Sequence, residues 1–260
     1  MYRAYEFTFA GVSASMYEMY VADIGAKKHG DNAFGNKANI VETRIANRVS
    51  PIHYGVRYND EPLTFTLIFG ADKVFDRYEM QEVARWLTGY QEYQWLSIDQ
   101  PDMEHIQFHC LITSLTPISV KWLPMAFEAT VVCDCPYGYG FPFEQEYDFD
   151  GEATERFYND GSSREPLKPV MEVELAQDCT EFSVTNQTTG EAMRFTGLPR
   201  GGMRFTVDNE NEIVSTEDGD DLYGCFNYVF LSLQSGDNEL VFSGGGAVRF
   251  KGRCLYNVGA

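Results

Sequence analysis

Residues 62–98 restrict the fold of this chain more than any other segment, because they combine a strand, a helix and a further strand. In PLTFTLIFG, Leu63, Phe65, Leu67 and Phe69 fall on one face, which is the period-two pattern of a half-buried strand. YQWLSID, directly after the helix, has the composition of a returning strand. Most of the remaining chain has the pattern of short strands, so we predict a mainly β protein with one helix.

The helix between these two strands has recognisable ends. Asp76 occupies the N-cap position, Glu79 stands three residues later as a capping-box partner, and Gly89 is placed to end the helix. Apolar residues recur at helical spacing, at Met80, Val83, Leu87 and Tyr90. Because a lone amphipathic helix must bury its apolar stripe, we expect it to pack on a sheet.

Length and charge narrow the classes of function. A chain of 260 residues suffices for one large or two ordinary domains, and it has no apolar run long enough to insert into a membrane as a helix. The formal charge is −19. Residues 1–140 contain 11 basic and 17 acidic residues, and residues 141–260 contain 9 basic and 22 acidic residues. Such an acidic surface repels phosphates, which argues against tight nucleic-acid binding.

The candidate metal ligands do not form a site. His105 and His109 lie on a predicted strand, where four residues span about 13 Å, too far for one ion. Cys133 and Cys135 have no further Cys or His pair at zinc spacing, and we interpret all six cysteines as reduced thiols of a protein folded in a cytoplasm. The acidic stretch 208–221 fits a solvated loop better than a calcium loop. We therefore predict no metal, cofactor or catalytic residue.

The chain divides into two blocks at a segment rich in proline, glycine and aromatic residues, 136–145. We predict domains at 1–136 and 137–260. The N-terminal block has further alternating strands whose inward residues are Ile106, Phe108, Cys110, Ile112, Phe127, Ala129, Val131 and Cys133. The C-terminal block has a wholly β pattern, with strands predicted at 170–175, 181–185, 192–195, 203–207, 228–233, 239–242 and 247–256. Short strands at this spacing indicate a sandwich or jelly roll.

Two small groups of side chains are candidate binding residues. Tyr137 and Tyr139 lie in the linker and could stack on a sugar, although packing of the linker onto the domains explains them more simply. Arg249, Lys251 and Arg253 form the densest basic cluster of the acidic half. They fit either a solvated strand face or a salt-bridged contact between subunits.

The ordered set of segments resembles the siphophage distal tail proteins. In the N-terminal block these are YEFTFAGVSAS, PLTFTLIFG, DRYEMQEVARWLTGY and YQWLSID; in the C-terminal block they are FYNDGSSREPLKPVMEVE, TNQTTGE, MRFTVDNENEIV and LQSGDNELVFSGGG. The correspondence covers nearly the whole chain and keeps the order of the family. No single segment is a strict motif.

The resemblance implies a structural protein of the virion tail tip, assembled in the host cytoplasm. Members form a ring, usually a hexamer, that joins the tail tube protein to the tail-associated hub protein. The N-terminal domain is a β-sandwich with a helix, and the C-terminal domain is a galectin-like or carbohydrate-module-like β-sandwich. DNA would pass through the acidic channel without specific binding. Some members also carry receptor-binding proteins on a long arm, and the short turns here argue against such direct capture.

Within this interpretation, residues 27–49 are long for a plain loop. They contain Ile40, Val41 and Ile45 as candidate anchors, and we predict a hairpin or belt that lies on the adjacent subunit. Two other functions stay open at this stage: a carbohydrate-binding adhesion module that uses the C-terminal sandwich, and a glycan-cleaving enzyme that uses a carboxylate pair.

Overall fold

The computed structural model describes residues 3–23, 38–58, 61–101, 103–120 and 123–258. It divides the chain into unit one, residues 1–139 with 257–260, and unit two, residues 140–256. In the described residues strands make up 52% and helices 8%, with a single α-helix. The predicted mainly β class with one helix is therefore confirmed.

Unit one contains one large antiparallel sheet and the helix. Its elements are β1 (Arg3–Tyr5), β2 (Phe7–Phe9), β3 (Val12–Ser13), β4 (Met19–Asp23), β5 (Ala38–Thr43), β6 (Ile52–Tyr58), β7 (Thr64–Ala71), α1 (Arg77–Thr88), β8 (Gln94–Ile98), β9 (Gln107–Val120), β10 (Leu123–Cys133) and β11 (Gly138–Tyr139). The strand order is β1-β4-β7-β10-β9-β8-β2-β3. Because only Glu6 separates β1 from β2, which pair near opposite edges, the sheet must curl round on itself.

Helix α1 begins where the sequence predicts. The Asp76 carboxylate accepts hydrogen bonds from the backbone N–H groups of Tyr78 and Glu79, and Glu79 Oε2 accepts one from Asp76 N at 2.9 Å, which completes the capping box. The helix buries Val83, Trp86 and Leu87. The indole N–H of Trp86 donates to the carbonyl of Phe9, which ties the helix to β2. Trp86 is a core residue that the predicted helical stripe did not include.

The inward residues predicted for the two long strands are confirmed. Each of the eight, from Ile106 to Cys133, is buried. The strands β9 and β10 pair along most of their length, with register shifts on β10 at Pro124/Ala126 and Thr130/Val131. This ladder forms the centre of the sheet of unit one.

Unit two is built from two antiparallel sheets around one core. Its strands are β12 (Phe143–Asp150), β13 (Ala153–Asn159), β14 (Val170–Leu175), β15 (Phe182–Asn186), β16 (Glu191–Phe195), β17 (Arg204–Asp208), β18 (Ile213–Thr216), β19 (Gly236–Ser243), β20 (Gly245–Gly252) and β21 (Leu255–Tyr256). One sheet has the order β12-β20-β14-β17-β18 and the other β13-β19-β15-β16. Their alternating apolar residues share one cluster, in which Phe182, Phe195, Phe242 and Phe250 are fully buried.

The strand prediction for unit two was wrong in two ways. It omitted β12 and β13, because the proline- and glycine-rich segment before them was interpreted as a linker, and it omitted β18, which lies inside the predicted acidic loop. The predicted strand at 228–233 is irregular, with an isolated bridge only at Leu233. The backbone N–H groups of this segment donate to side chains and not to a neighbouring strand: Leu231 N–H donates to Asn209 Oδ1, and Ser232 N–H donates to Glu191 Oε2.

Candidate interaction surfaces

The strands β5 and β6 form a two-stranded sheet of their own, which we call the arm hairpin (residues 38–58). Among the described residues these strands pair only with each other. The predicted belt segment 27–49 overlaps this hairpin from residue 38 onward, and its first part, 27–37, lies outside the described residues. A reverse turn closes the hairpin, in which Arg48 N–H donates to Ile45 O and Asn47 has a left-handed φ of 69°.

The arm hairpin presents apolar side chains to solvent. Residues 39–50 are all exposed, and the exposed apolar members of the hairpin are Ile40, Val41, Ile45, Val49, Tyr54 and Val56. Ile40 is 64% exposed and lies opposite Val56 across the two strands. An isolated two-stranded hairpin is marginally stable at best in water, and the described residues of the chain do not bury these apolar side chains.

Three of these apolar residues were missed at the sequence level. Val49, Tyr54 and Val56 lie at or beyond the end of the predicted belt segment, and the strand pattern in IHYGVRY is interrupted by Gly55. The usable signal was the apolar alternation of Ile52, Tyr54 and Val56, which would have extended the segment to the end of β6. The hairpin therefore joins the three predicted anchors to residues that the sequence prediction left out.

The basic cluster of β20 is neutralised within its own sheet. Arg249 pairs with Glu146 at 3.1 Å and with Glu172 at 3.5 Å, and Lys251 pairs with Glu172 at 2.7 Å and with Glu144 at 3.6 Å. Each carboxylate comes from a strand beside β20, either β12 or β14. The pKa values of Arg249 and Lys251 are raised, mainly by the hydrogen bonds to Glu146 and Glu172 respectively.

The third basic residue of the cluster has a different environment. Arg253 donates from Nη1 to the carbonyl of Gly140 at 2.9 Å. The three basic residues therefore lie on a charged, solvated sheet face and make their observed contacts within one chain. The prediction that the cluster contacts another subunit gains no support from them and stays a prediction.

The two tyrosines predicted for sugar stacking lie at the end of unit one. Tyr137 is buried, and Tyr139 is half-buried with its hydroxyl donating to Asp134 and its ring edge against Trp95 at 5.3 Å. Burial raises the pKa of the Tyr139 hydroxyl. Their placement matches the simpler explanation, packing of the linker, and the sugar-stacking prediction gains no support from it.

An aromatic and polar cluster surrounds His109. His109 Nδ1 lies 2.6 Å from Asp134 Oδ2, and its ring stacks on Trp95 at 4.5 Å. Only His109 lies on a strand, because β9 begins at Gln107 and His105 lies in the turn before it. The predicted strand placement of His105 was therefore wrong. In the described part of the chain, no group of three or more His, Cys, Asp or Glu residues is arranged to hold a metal ion.

A membrane-spanning helix is also absent from the described residues. All six cysteines are free thiols, with Cys110, Cys133 and Cys254 buried. Burial raises the pKa of Cys254 to about 12. The surface features that remain to be explained are therefore the exposed arm hairpin and the acidic faces of the two units.

Comparison with protein families decides the class of this protein. The family described as phage tail protein N-terminal domain matches residues 2–135, and the family described as phage tail C-terminal domain matches residues 137–252. The chain belongs to the family of phage tail proteins. Its expected location in the tail of the virion is thereby confirmed, and the resemblance drawn from the ordered segments is correct.

Solved structures show the fold of this phage tail protein. The Dit protein (gp 19.1) of phage SPP1, described as a paradigm of the hub adsorption apparatus in phages that infect Gram-positive bacteria, is 13% identical, with a TM-score of 0.69 over 97% of this chain and 100% of that chain. The chain therefore has the Dit fold. A chain of the phage P2 baseplate, 8% identical over 96% of this chain and 98% of its own, has a TM-score of 0.48, which supports no argument. No curated protein matches the sequence.

Proposed function

We propose that this phage tail protein is a ring-forming adaptor of the tail tip, with six copies as the expected number. The arm hairpin is the observation that carries the proposal, because it exposes apolar side chains that the described part of the chain leaves uncovered. The Dit fold supports the same assignment. The ring would join the tail tube protein to the hub protein of the tail tip.

The energetics favour a partner for the arm hairpin. Full burial of an Ile or Val side chain contributes about 1.5–3 kcal/mol, so covering Ile40 and its neighbours would offset the cost of ordering a two-stranded sheet. Another copy of the chain is the partner that we propose. When an arm of one copy lies on the body of the next, the contact is heterologous, and such contacts close into a ring when the rotation permits.

The proposed role needs binding surfaces and no catalysis. The chain carries a net charge of −19, so a channel lined by such subunits would let DNA pass without adhering to it. Membership of a structural tail family supports a non-enzymatic role. Direct binding of receptor-binding proteins is outside the proposal, because unit two has short connections between most of its strands.

The test compares two matched double variants of the full chain. Ile40→Ser with Ile45→Ser removes apolar residues that are 64% and 48% exposed on the arm hairpin, and Tyr158→Ser with Ile213→Ser removes residues that are 66% and 51% exposed on unit two. We expect a closed oligomer for the natural chain and the unit-two variant by light scattering and negative-stain imaging. The hairpin variant should be monomeric and still folded, with a melting temperature lowered by the loss of the subunit contact.

Two results would contradict this proposal. One is a hairpin variant that still forms intact rings, which would remove the arm from the interface. The other is a natural chain that stays monomeric at high concentration and is absent from purified particles.

A further inference from the structure

Two buried cysteines face each other across the central ladder of unit one. Cys110 lies on β9 and Cys133 on β10, and the two are direct partners in the antiparallel register. Both belong to the inward face and are 0% and 1% exposed. Both are free thiols, so the ladder holds an unused pair of sulfur atoms.

The hydrogen-bond pattern of the ladder identifies the type of this pair. Asp134 N–H donates to His109 O at 3.1 Å, which makes Asp134 and His109 a hydrogen-bonded pair. In an antiparallel sheet the two types alternate, so the next pair, Cys133 and Cys110, is of the non-hydrogen-bonded type. Cα atoms at such positions are about 4.5 Å apart, which lies within the range that a disulfide requires.

The thiols are also close enough to interact. The pKa of the Cys133 thiol is raised, first by a hydrogen bond with the Cys110 thiol and then by burial. Because the thiolate is the reactive form, this environment keeps the pair unreactive while the protein is reduced. The neighbouring Cys135 follows β10 two residues after Cys133 and hydrogen-bonds to Tyr137 O, so it does not compete for the same geometry.

We propose that Cys110 and Cys133 form a cross-strand disulfide once the protein passes from a reducing to an oxidising environment. A phage tail protein is made in a reducing cytoplasm, and the particle then leaves the cell, where disulfides persist. The two S–H bonds break and one S–S bond forms. The two protons and two electrons pass to an external two-electron oxidant such as diamide or dissolved oxygen.

The bond would tie together the two longest strands of the sheet of unit one. A disulfide stabilises chiefly by restricting the unfolded chain, so the oxidised protein should melt at a higher temperature than the reduced one. The burial of both sulfur atoms makes formation slow in the folded state, because reaction requires an access route for the oxidant. The inference depends on the family of the protein and is independent of ring formation.

The experiment treats the purified full chain with diamide during mild heating below its melting temperature, followed by alkylation of free thiols and peptide mass mapping without reductant. We expect a linked peptide pair that contains Cys110 and Cys133 and is lighter by two hydrogens. Cys179→Ala is the matched control, because Cys179 lies in unit two, where its thiol donates to Glu181 O, and its loss should leave the link and the higher melting temperature intact.

Cys110→Ala should abolish both the link and the diamide-dependent rise in melting temperature. If this variant fails to fold, the mapping of the natural chain decides alone. Recovery of both Cys110 and Cys133 in alkylated form after diamide treatment would overturn the proposal. So would a link from Cys133 to Cys135 or from either sulfur to any other cysteine.

Discussion

The arm hairpin and the sandwich of unit two use the same kind of local pattern for opposite purposes. In the sandwich, alternating apolar residues such as Phe242 and Phe250 point inward and are fully buried. In the hairpin, Ile40 and Val56 lie opposite each other on paired strands and remain exposed. The difference shows that alternation only sorts side chains onto two faces, and that a further layer decides whether a face is a core or a binding surface.

The largest effect on stability should come from the core of the sandwich. Phe242 contacts Tyr147 and Phe149, with both ring centroids 5.4 Å from its own. Phe242→Ala should lower the free energy of unfolding by about 3–5 kcal/mol, because it leaves a cavity among these rings. Val49→Ala in the arm hairpin, where the side chain is fully exposed, is the control for denaturant unfolding and should have almost no effect. If both variants lowered the free energy of unfolding by the same amount, the distinction between a buried core in the sandwich and an exposed surface in the hairpin would be wrong.

A smaller effect should follow from the buried amides of unit two. Asn238 is fully buried; its Oδ1 accepts from Gln234 N and Asn186 Nδ2, and its Nδ2 donates to Gln234 O. Asn238→Ala leaves the backbone N–H of Gln234 without its acceptor, at a cost of about 1–3 kcal/mol. Asn39→Ala on the exposed arm hairpin is the matched change, with an expected cost below about 0.5 kcal/mol. Thermal unfolding measures both, and a neutral Asn238→Ala would show that the amide network does not stabilise the sandwich.

The smallest effect on stability should come from the ion pairs between β20 and its neighbouring strands β12 and β14. Arg249→Met removes the ion pairs to Glu146 and Glu172 on a half-exposed sheet face, where solvent screens the charges and such pairs contribute little to stability. Arg44→Met removes the more exposed pair of the arm hairpin, in which Arg44 lies 3.7 Å from Glu42. Unfolding measured at low and at high salt should show that Arg249→Met lowers the free energy of unfolding slightly, and by less at high salt. Arg44→Met should leave the free energy of unfolding unchanged at both. If salt does not reduce the stability lost in Arg249→Met, then Arg249 stabilises the sheet through packing of its aliphatic stem and not through its charge.

The sequence predicted the local elements of this fold well. The capping box of α1 was correct because Asp76 and Glu79 act within one turn of the same helix. The inward faces of β9 and β10 were correct because alternation along one strand decides which side chains share a face. Both results depend on neighbours a few residues apart.

The errors arose where distant contacts override local pattern. The segment 228–233 alternates like a strand, yet Asn209 and Glu191 take its backbone hydrogen bonds from elsewhere in the chain. The proline- and glycine-rich stretch before β12 has the composition of a linker, but β12 starts at Phe143 because β20 offers it a pairing edge. The prediction was wrong because it relied on local turn-forming residues, whereas the strand forms by pairing with a partner far away in the sequence.

The amino-acid sequence alone determined the class of the protein, the one helix, the inward faces of the central strands, the acidic charge and the family resemblance, since composition, spacing and order carry all of these. Tertiary structure alone decided that Cys110 faces Cys133, that β14 lies beside β20, and that Ile40 is left uncovered. The physical reason is that strand register and burial depend on contacts between residues far apart in the chain. No local pattern records which partner a strand will find.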